Sequence, residues 1–260
     1  MIDRPSIFIT GAARGIGRAC AERFAEAGYF VGLYDVDAEA LAETVAELAL
    51  GDRCCSGVLD VRDQQSIQAA IDHFAEHTGG RMHVLLNNAG VMHVGRFEQL
   101  GVDEHRRTIA VNLLGVIEVA HASFPLLRRT PGARVISLSS AAAIFGMPEM
   151  ASYSATKHAV RALTEALEIE WAQWGIKVCD VMPGFVDTEL LTNTQRLAAE
   201  RVLGVRLQPE DVANVVWCAA TSKRRRTHWP VGLQTKLAER ARKLVPDSVT
   251  RRVVQWMTRT

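Results

Sequence analysis

Ser6-Ile-Phe-Ile-Thr10 leads into Gly11-Ala-Ala-Arg-Gly15-Ile-Gly17, and Arg18-Ala-Cys-Ala-Glu-Arg-Phe-Ala-Glu-Ala27 follows with helical spacing. The first segment is a short apolar run of the kind that forms a buried strand, and the second is a glycine turn. Strand, glycine turn and helix in that order bring backbone N–H groups and the positive helix end against a phosphate. The spacing is G-x-x-x-G-x-G, and Arg14 and Ile16 lie inside it. A second strand-like run, Tyr29 to Tyr34, ends at Asp35. That is about 20 residues past the glycines, where a carboxylate accepts hydrogen bonds from an adenosine ribose.

Working outward, strand-like runs recur at Cys55 to Val58, Val84 to Leu86, Arg134 to Leu138 and Lys177 to Met182, with helical periodicity between most of them. Such alternation implies an α/β fold: a single-domain, Rossmann-like, doubly wound parallel sheet with helices on both faces. Ligands of such sheets lie at the carboxyl ends of the strands. Gly11, Asp35, Asp60, Asn88, Ser140 and Pro183 each follow an expected strand, so they would line one edge. The domain is expected over residues 1–221, with 222–260 as a basic amphipathic extension packed on the same domain or on a partner subunit.

Tyr153-Ser-Ala-Thr-Lys157 places a phenol and an ammonium at i and i+4 of an expected helix from Ala151 to Trp171, one turn apart on one face. A free tyrosine keeps its proton to about pH 10, and a neighbouring cation favours the phenolate. The pair can therefore move a proton.

Taken together, Thr10 to Gly17, Asp60-Val61, Asn87-Asn-Ala-Gly90, Asn112, Ser140, Tyr153 with Lys157, and Pro183-Gly184 followed by Thr188 resemble the short-chain dehydrogenase/reductase family. The resemblance runs from about Ser6 to Ala220 and implies an NAD(P)-dependent oxidoreductase acting on an alcohol or carbonyl. It implies that Tyr153 transfers the proton and that Ser140, thirteen residues earlier, holds the substrate oxygen. Lys157 would bind the nicotinamide ribose and lower the Tyr153 pKa, and Asn112 would hold a water beside it. Gly11, Arg14, Gly15, Ile16 and Gly17 would cradle the pyrophosphate, and Asp35 the adenosine ribose. Asp60 and Val61 would frame the adenine, with Asn88, Ala89 and Gly90 beneath the ribose. Pro183, Gly184, Val186 and Thr188 would lie on the nicotinamide side. Asp35 repels a 2′-phosphate and favours NAD, whereas Arg14 leaves room for NADP. The alternative of another class is a non-catalytic dinucleotide-binding regulator or scaffold, against which the intact Asn112, Ser140, Tyr153 and Lys157 set argues.

Five cysteines without C-x-x-C spacing suit a reducing compartment, and no basic-then-apolar export signal precedes the first strand, which points to the cytoplasm. No unbroken apolar run reaches the ~18 residues of a membrane span. The histidines lack metal-ligand spacing, so no metal is expected. Leu190, Leu191, Leu197 and Leu203, between Glu189 and Gln208, together with Phe145, Met147 and Met150, hint at an apolar substrate pocket under a lid. From Ser222 onward eleven basic residues face only Glu239 and Asp247, so the tail carries +9 and the remainder −8. A helix is expected from Val231 to Val245. The Gly-rich ending and final strand common in tetrameric family members do not read in this tail. The family implies a homo-oligomer, dimer or tetramer. The tail is expected to pack on the protein, with peripheral membrane contact and attraction of an acidic substrate such as an acyl carrier or coenzyme A ester as weaker readings, and nucleic acid not expected for want of a binding motif.

Overall fold

In the computed structural model, which describes residues 4–188, 204, 207–242 and 245–258, seven strands form one parallel sheet. They are β1 (Ser6–Thr10), β2 (Phe30–Asp35), β3 (Cys54–Val58), β4 (Val84–Asn87), β5 (Arg134–Leu138), β6 (Lys177–Met182) and β7 (His228–Pro230). Their order is β3-β2-β1-β4-β5-β6-β7, with every neighbouring pair parallel. The strand order reverses between β1 and β4. Loops leaving these two strands diverge and open a crevice at their carboxyl ends.

The described helices are α1 (Gly15–Glu26), α2 (Ala38–Leu48), α3 (Gln64–Thr78), α4 (Val102–Ile109), α5 (Gly115–Arg128), α6 (Ala151–Glu170), α7 (Pro209–Thr221), α8 (Gly232–Arg242) and α9 (Asp247–Thr258). Strand alternation decides which helices lie where, because successive side chains point to opposite faces. Ile7 and Ile9 share a core with Phe24 of α1 and Val212 and Val216 of α7. Phe8, between them, packs with Phe74 of α3 and Val119 of α5 on the other face. Gly32 of β2 makes room for that second layer, since a Cβ there would lie 2.6 Å from the Phe74 ring.

A π turn at Ala110–Leu114 joins α4 to α5 into one continuous helix. The helix Val102–Arg128 contains an 18-residue window of mean hydropathy 1.6, long and apolar enough by length and composition to cross a membrane. Glu118 and His121 interrupt the apolar run, which is why counting unbroken stretches misses it. Here it serves as a core helix, with Val116, Val119 and Leu127 buried.

The sheet does not stop at residue 221. Strand β7 pairs with β6 through Asp180↔His228, Val181↔Trp229 and Met182↔Pro230, so a final strand is present inside the basic tail. The boundary expected at residue 222 therefore falls before the last strand, not after the sheet. A polar cluster around the buried Asp180 fastens this edge. His228 Nδ1 lies 3.0 Å from Asp180 Oδ1, and Nε2 lies 2.9 Å from Glu165 Oε1. Burial opposes a charge on His228, but the Asp180 carboxylate raises its pKa on balance. Beside it the Arg161 guanidinium donates two 2.8 Å bonds to Glu239 of α8, tying the tail to α6 of the same chain. Glu239→Ala is expected to cost about 2 kcal/mol in urea unfolding and to make the tail the first site of tryptic cleavage. Unchanged stability and cleavage order would show that the pair does not hold the tail.

Candidate active site

The glycine turn is built by close approach. Gly11 and Gly15 adopt φ of +69° and +55°, which side-chain-bearing residues rarely do. A Cβ on Gly17 would sit 2.0 Å from the Gly11 carbonyl oxygen, so α1 can lie this close to β1 only with glycine there. Asn88 locks the turn: its Nδ2 donates to the carbonyls of Thr10 (3.0 Å) and Gly11 (2.7 Å). The Thr10 hydroxyl in turn accepts from the backbone N–H groups of Asn88 and Ala89. The two motifs thus form one cross-linked floor at the strand reversal.

At the end of β2, Asp35 Oδ2 accepts from the Ala13 N–H (2.9 Å) and Oδ1 from the Asp37 N–H (3.0 Å), which fixes the carboxylate there. Arg14 forms an ion pair with Asp37, so its charge is met by a carboxylate two residues from Asp35. Asp60 is gripped by the Arg62 guanidinium, whose hydrogen bond holds its carboxyl below the usual carboxylate range.

At the inner end, Ser140 caps a short turn, its Oγ accepting from the Ala142 N–H at 3.1 Å. Tyr153 and Lys157 project from one face of α6, and the Lys157 Nζ lies 5.5 Å from the Tyr153 ring centroid. Nζ donates to the Leu138 carbonyl at 2.7 Å. Burial raises the Tyr153 pKa, partly offset by its hydrogen bond to Ser140. Burial also lowers Lys157, to about 8. The expected depression of Tyr153 by Lys157 is therefore not what the cleft by itself produces, because desolvation penalises both charged forms. Asn112 is fully buried, and its amide is spent on the backbone of Val91: Oδ1 accepts from the N–H and Nδ2 donates to the carbonyl, both at 2.8 Å. It shapes the loop after β4, a contact no sequence spacing announces.

One cavity of about 920 Å³ joins these parts. Gly11, Arg14, Gly15, Ile16, Asp35, Asp60 and Val61 line it, as do Asn88, Ala89, Gly90, Ser140, Tyr153 and Lys157. Pro183, Gly184, Val186 and Thr188 complete the far wall. Gly17 and Asn112 are not among its lining residues and act from behind it. Beyond Tyr153 the wall turns apolar, with Met92, Phe145, Met147, Met150 and Phe185. Met92, His93 and Phe185 flank motifs and could have been found from that position. The cavity's remaining side comes from α8 and α9, through Thr235, Ala238, Val249, Val253 and Val254 among others, and no motif marks them. The leucines expected to form a lid, at positions 190, 191, 197 and 203, lie outside the described residues.

A group of metal-capable side chains does assemble among the described residues, although its spacing matches no metal motif. Ligand atoms of Cys55, His73 and His77 lie within 4.8 Å of one another. The Tyr34 hydroxyl sits 3.4 Å from Cys55 Sγ and 3.0 Å from His73 Nδ1, and His77 Nδ1 meets the His73 carbonyl at 2.8 Å, so these donors satisfy one another.

The chain matches the family described as short chain dehydrogenase over residues 5–198. It is 34% identical to a cyclohexanol dehydrogenase of Acinetobacter sp. (strain SE19) over 212 residues, 80% of this chain and 84% of that one. It is 35% identical to sulfoacetaldehyde reductase 2 of Chromohalobacter salexigens over 222 residues, 83% of this chain and 88% of that one. Among solved structures it resembles a short chain dehydrogenase/reductase from Burkholderia phymatum in complex with NAD. That pair has a TM-score of 0.82 and 30% identity, covering 92% of this chain and 94% of the other.

The buried lysine carries a pH signature. Its pKa falls from 10.5 to about 8 on folding, so the unfolded chain binds more protons between these values and stability rises with pH through that window. Below it the full penalty of about 3 kcal/mol is present. Lys157→Met is expected to gain about 2 kcal/mol at neutral pH after losing its bond to Leu138, and to flatten the alkaline rise. Urea unfolding across that range checks both.

Proposed function

The chain belongs to the short-chain dehydrogenase family, and we propose that it is an NAD-dependent oxidoreductase interconverting an apolar secondary alcohol and its ketone. The observation that carries this reading is the joining of Ser140, Tyr153 and Lys157 to the glycine turn by one cavity. A dinucleotide fits the residues present. The turn has no room for a side chain at Gly17, and a Cβ on Gly15 would press on Thr188 at 3.2 Å, so the cradle is shaped for backbone approach. When bound, the nicotinamide supplies the hydride acceptor or donor.

The chain's own groups do the rest. The α1 amino end and the glycine turn hold the pyrophosphate. Asp35 takes the adenosine ribose, Asp60 and Val61 frame the adenine, and Asn88 to Gly90 lie beneath. Pro183, Gly184, Val186 and Thr188 border the nicotinamide side. Ser140 donates to the substrate oxygen and steadies its developing charge. In oxidation Tyr153 Oη takes the substrate hydroxyl proton, and in reduction it returns it. Lys157 binds the nicotinamide ribose and places a cation beside the phenol, opposing the burial that raises Tyr153. Asn112 positions the loop under this pair.

NAD is favoured because the ribose corner presents Asp35 while Arg14 is engaged by Asp37. The apolar end of the cavity suits a ring or alkyl body, in keeping with the cyclohexanol relative. Exposed Ile109, Leu114 and Ile117 on α4, the π turn and α5, with Ile169 on α6, support a homo-oligomer. Five unpaired thiols suit a cytoplasmic site. A scaffold that only binds dinucleotide would have no use for a serine-tyrosine-lysine set at the end of the cavity.

Tyr153→Phe is expected to abolish turnover of cyclohexanol and longer secondary alcohols, followed by nicotinamide absorbance, while NAD binding persists. Near-normal turnover would remove Tyr153 from the chemistry, and retained binding with no activity on any alcohol or ketone would favour the scaffold. The kcat/KM ratio of NAD to NADP is expected to exceed about tenfold, a difference near 1.4 kcal/mol. Asp35→Ser should narrow it. An NADP preference in the native chain would overturn the reading of Asp35.

A further inference from the structure

Helices α8 and α9 cover one side of the cavity, yet each also presents an unusual outer face. On α8, Thr235 is buried, and Leu233 and Leu237 lie two positions to either side of it. Two residues turn a helix by roughly 200°, so both leucines point away from the body. Leu233 is 72% exposed, and Leu237 is exposed as well. On α9 Val254 and Thr258 are buried, and between them Trp256, two positions from each, is 70% exposed. Val249 and Val253 are exposed on the same helix. Basic side chains share these outer faces. Lys236 and Arg240 flank Leu237, and Arg252 stands two positions before Val254, on the side of Trp256; all three are exposed.

Acidic groups do not balance them. The tail's sequence offers only Glu239 and Asp247 against eleven basic residues, and the Glu239 carboxylate is engaged by Arg161 of α6.

We propose that these outer faces of α8 and α9 seat the protein reversibly on an anionic lipid surface. An amphipathic helix of this make-up lies in the interface plane, its apolar side chains at the acyl boundary and its lysines and arginines reaching up to the phosphates. A protein partner fits less well. The core of a protein interface is enriched in arginine and tryptophan but depleted of lysine, so it is the exposed Lys236 beside Leu237 that argues against one. The other 221 residues sum to −8, so the chain's excess of positive charge is concentrated in the tail. The site also gains a route. Val249 and Val253 are exposed and also line the cavity, and Val249 lies within about 20° of Trp256 around the helix, so the outer face adjoins the wall of the apolar pocket. A substrate dissolved in the bilayer could enter without crossing open water.

The proposal is independent of the catalytic reading, and its test uses no turnover. Full-length protein is sedimented with vesicles of phosphatidylcholine alone and of phosphatidylcholine with phosphatidylglycerol, at low and high salt. It is expected to pellet with the anionic vesicles at low salt only. Lys236→Glu with Arg240→Glu should weaken this by at least about tenfold, given roughly fivefold per basic side chain near such a surface. Leu237→Ser with Trp256→Ser should weaken the low-salt pelleting as well, with every basic side chain still in place. Both double variants should keep NAD binding and the thermal unfolding of the native chain, which separates a lost surface from a lost fold. Equal pelleting with both vesicle types, or charge and apolar variants that pellet like the native chain, would overturn the proposal. So would a native dimer that dissociates in the Leu237→Ser, Trp256→Ser variant and ignores vesicles, because the stripe would then belong to a second copy.

Discussion

The constraint on which the rest of the structure depends is the close approach of α1 to the end of β1. It is possible only because Gly17 has no side chain to meet the Gly11 carbonyl. That approach aims the amino end of α1 across the reversal of strand order. Asn88, reaching from the next strand of the sheet to the carbonyls of Thr10 and Gly11, then joins the two halves of the crevice. Without this joint the floor of the cavity would be two independent loops. With it, Asp35 at the end of β2 and Tyr153 on α6 line one cavity over a shared floor.

Much of this was legible in the chain because it rests on local chemistry. Strand, turn and helix follow one another without a break from Ser6, and the Tyr153–Lys157 spacing needs only a helix to bring both groups to one face. What escaped notice depends on partners distant in sequence. The amide of Asn112 answers Val91, and the charge of Arg14 answers Asp37; neither bond has a fixed offset to read. Strand β7 is short and ends at a proline, and it follows a run of arginines, so it lacks the alternation that marks a strand. It exists because β6 offers an open edge and because His228 meets the buried Asp180 there. Cys55, His73 and His77 likewise meet only because β3 and α3 are neighbours across the second layer.

Electrostatics at the inner end of the cavity illustrate how a site can oppose its own fold. Burial drives Lys157 down to about 8 and Tyr153 upward, so both side chains resist ionisation. A fold optimised for stability alone would place an apolar side chain at 157. Retaining an ammonium there, hydrogen-bonded to the Leu138 carbonyl, keeps a positive field aimed at the phenol. In a poorly solvated cleft such a field acts far more strongly than it would in water. The cost in stability and the capacity for chemistry thus have the same origin, the exclusion of water.

The tail shows how one segment can serve two surfaces. Held inward by the Arg161–Glu239 pair and by β7, it contributes one wall of the pocket. A helix that must also be soluble on its far side would normally carry polar residues there. Here the far side carries leucine, valine and tryptophan among lysine and arginine, and a tail so constituted is poorly suited to bulk water alone. Its inner face fits the enzyme and its outer face fits a charged, apolar boundary. On the proposed seating, a pocket wall shared between those two faces would link where the protein rests to what can reach Tyr153.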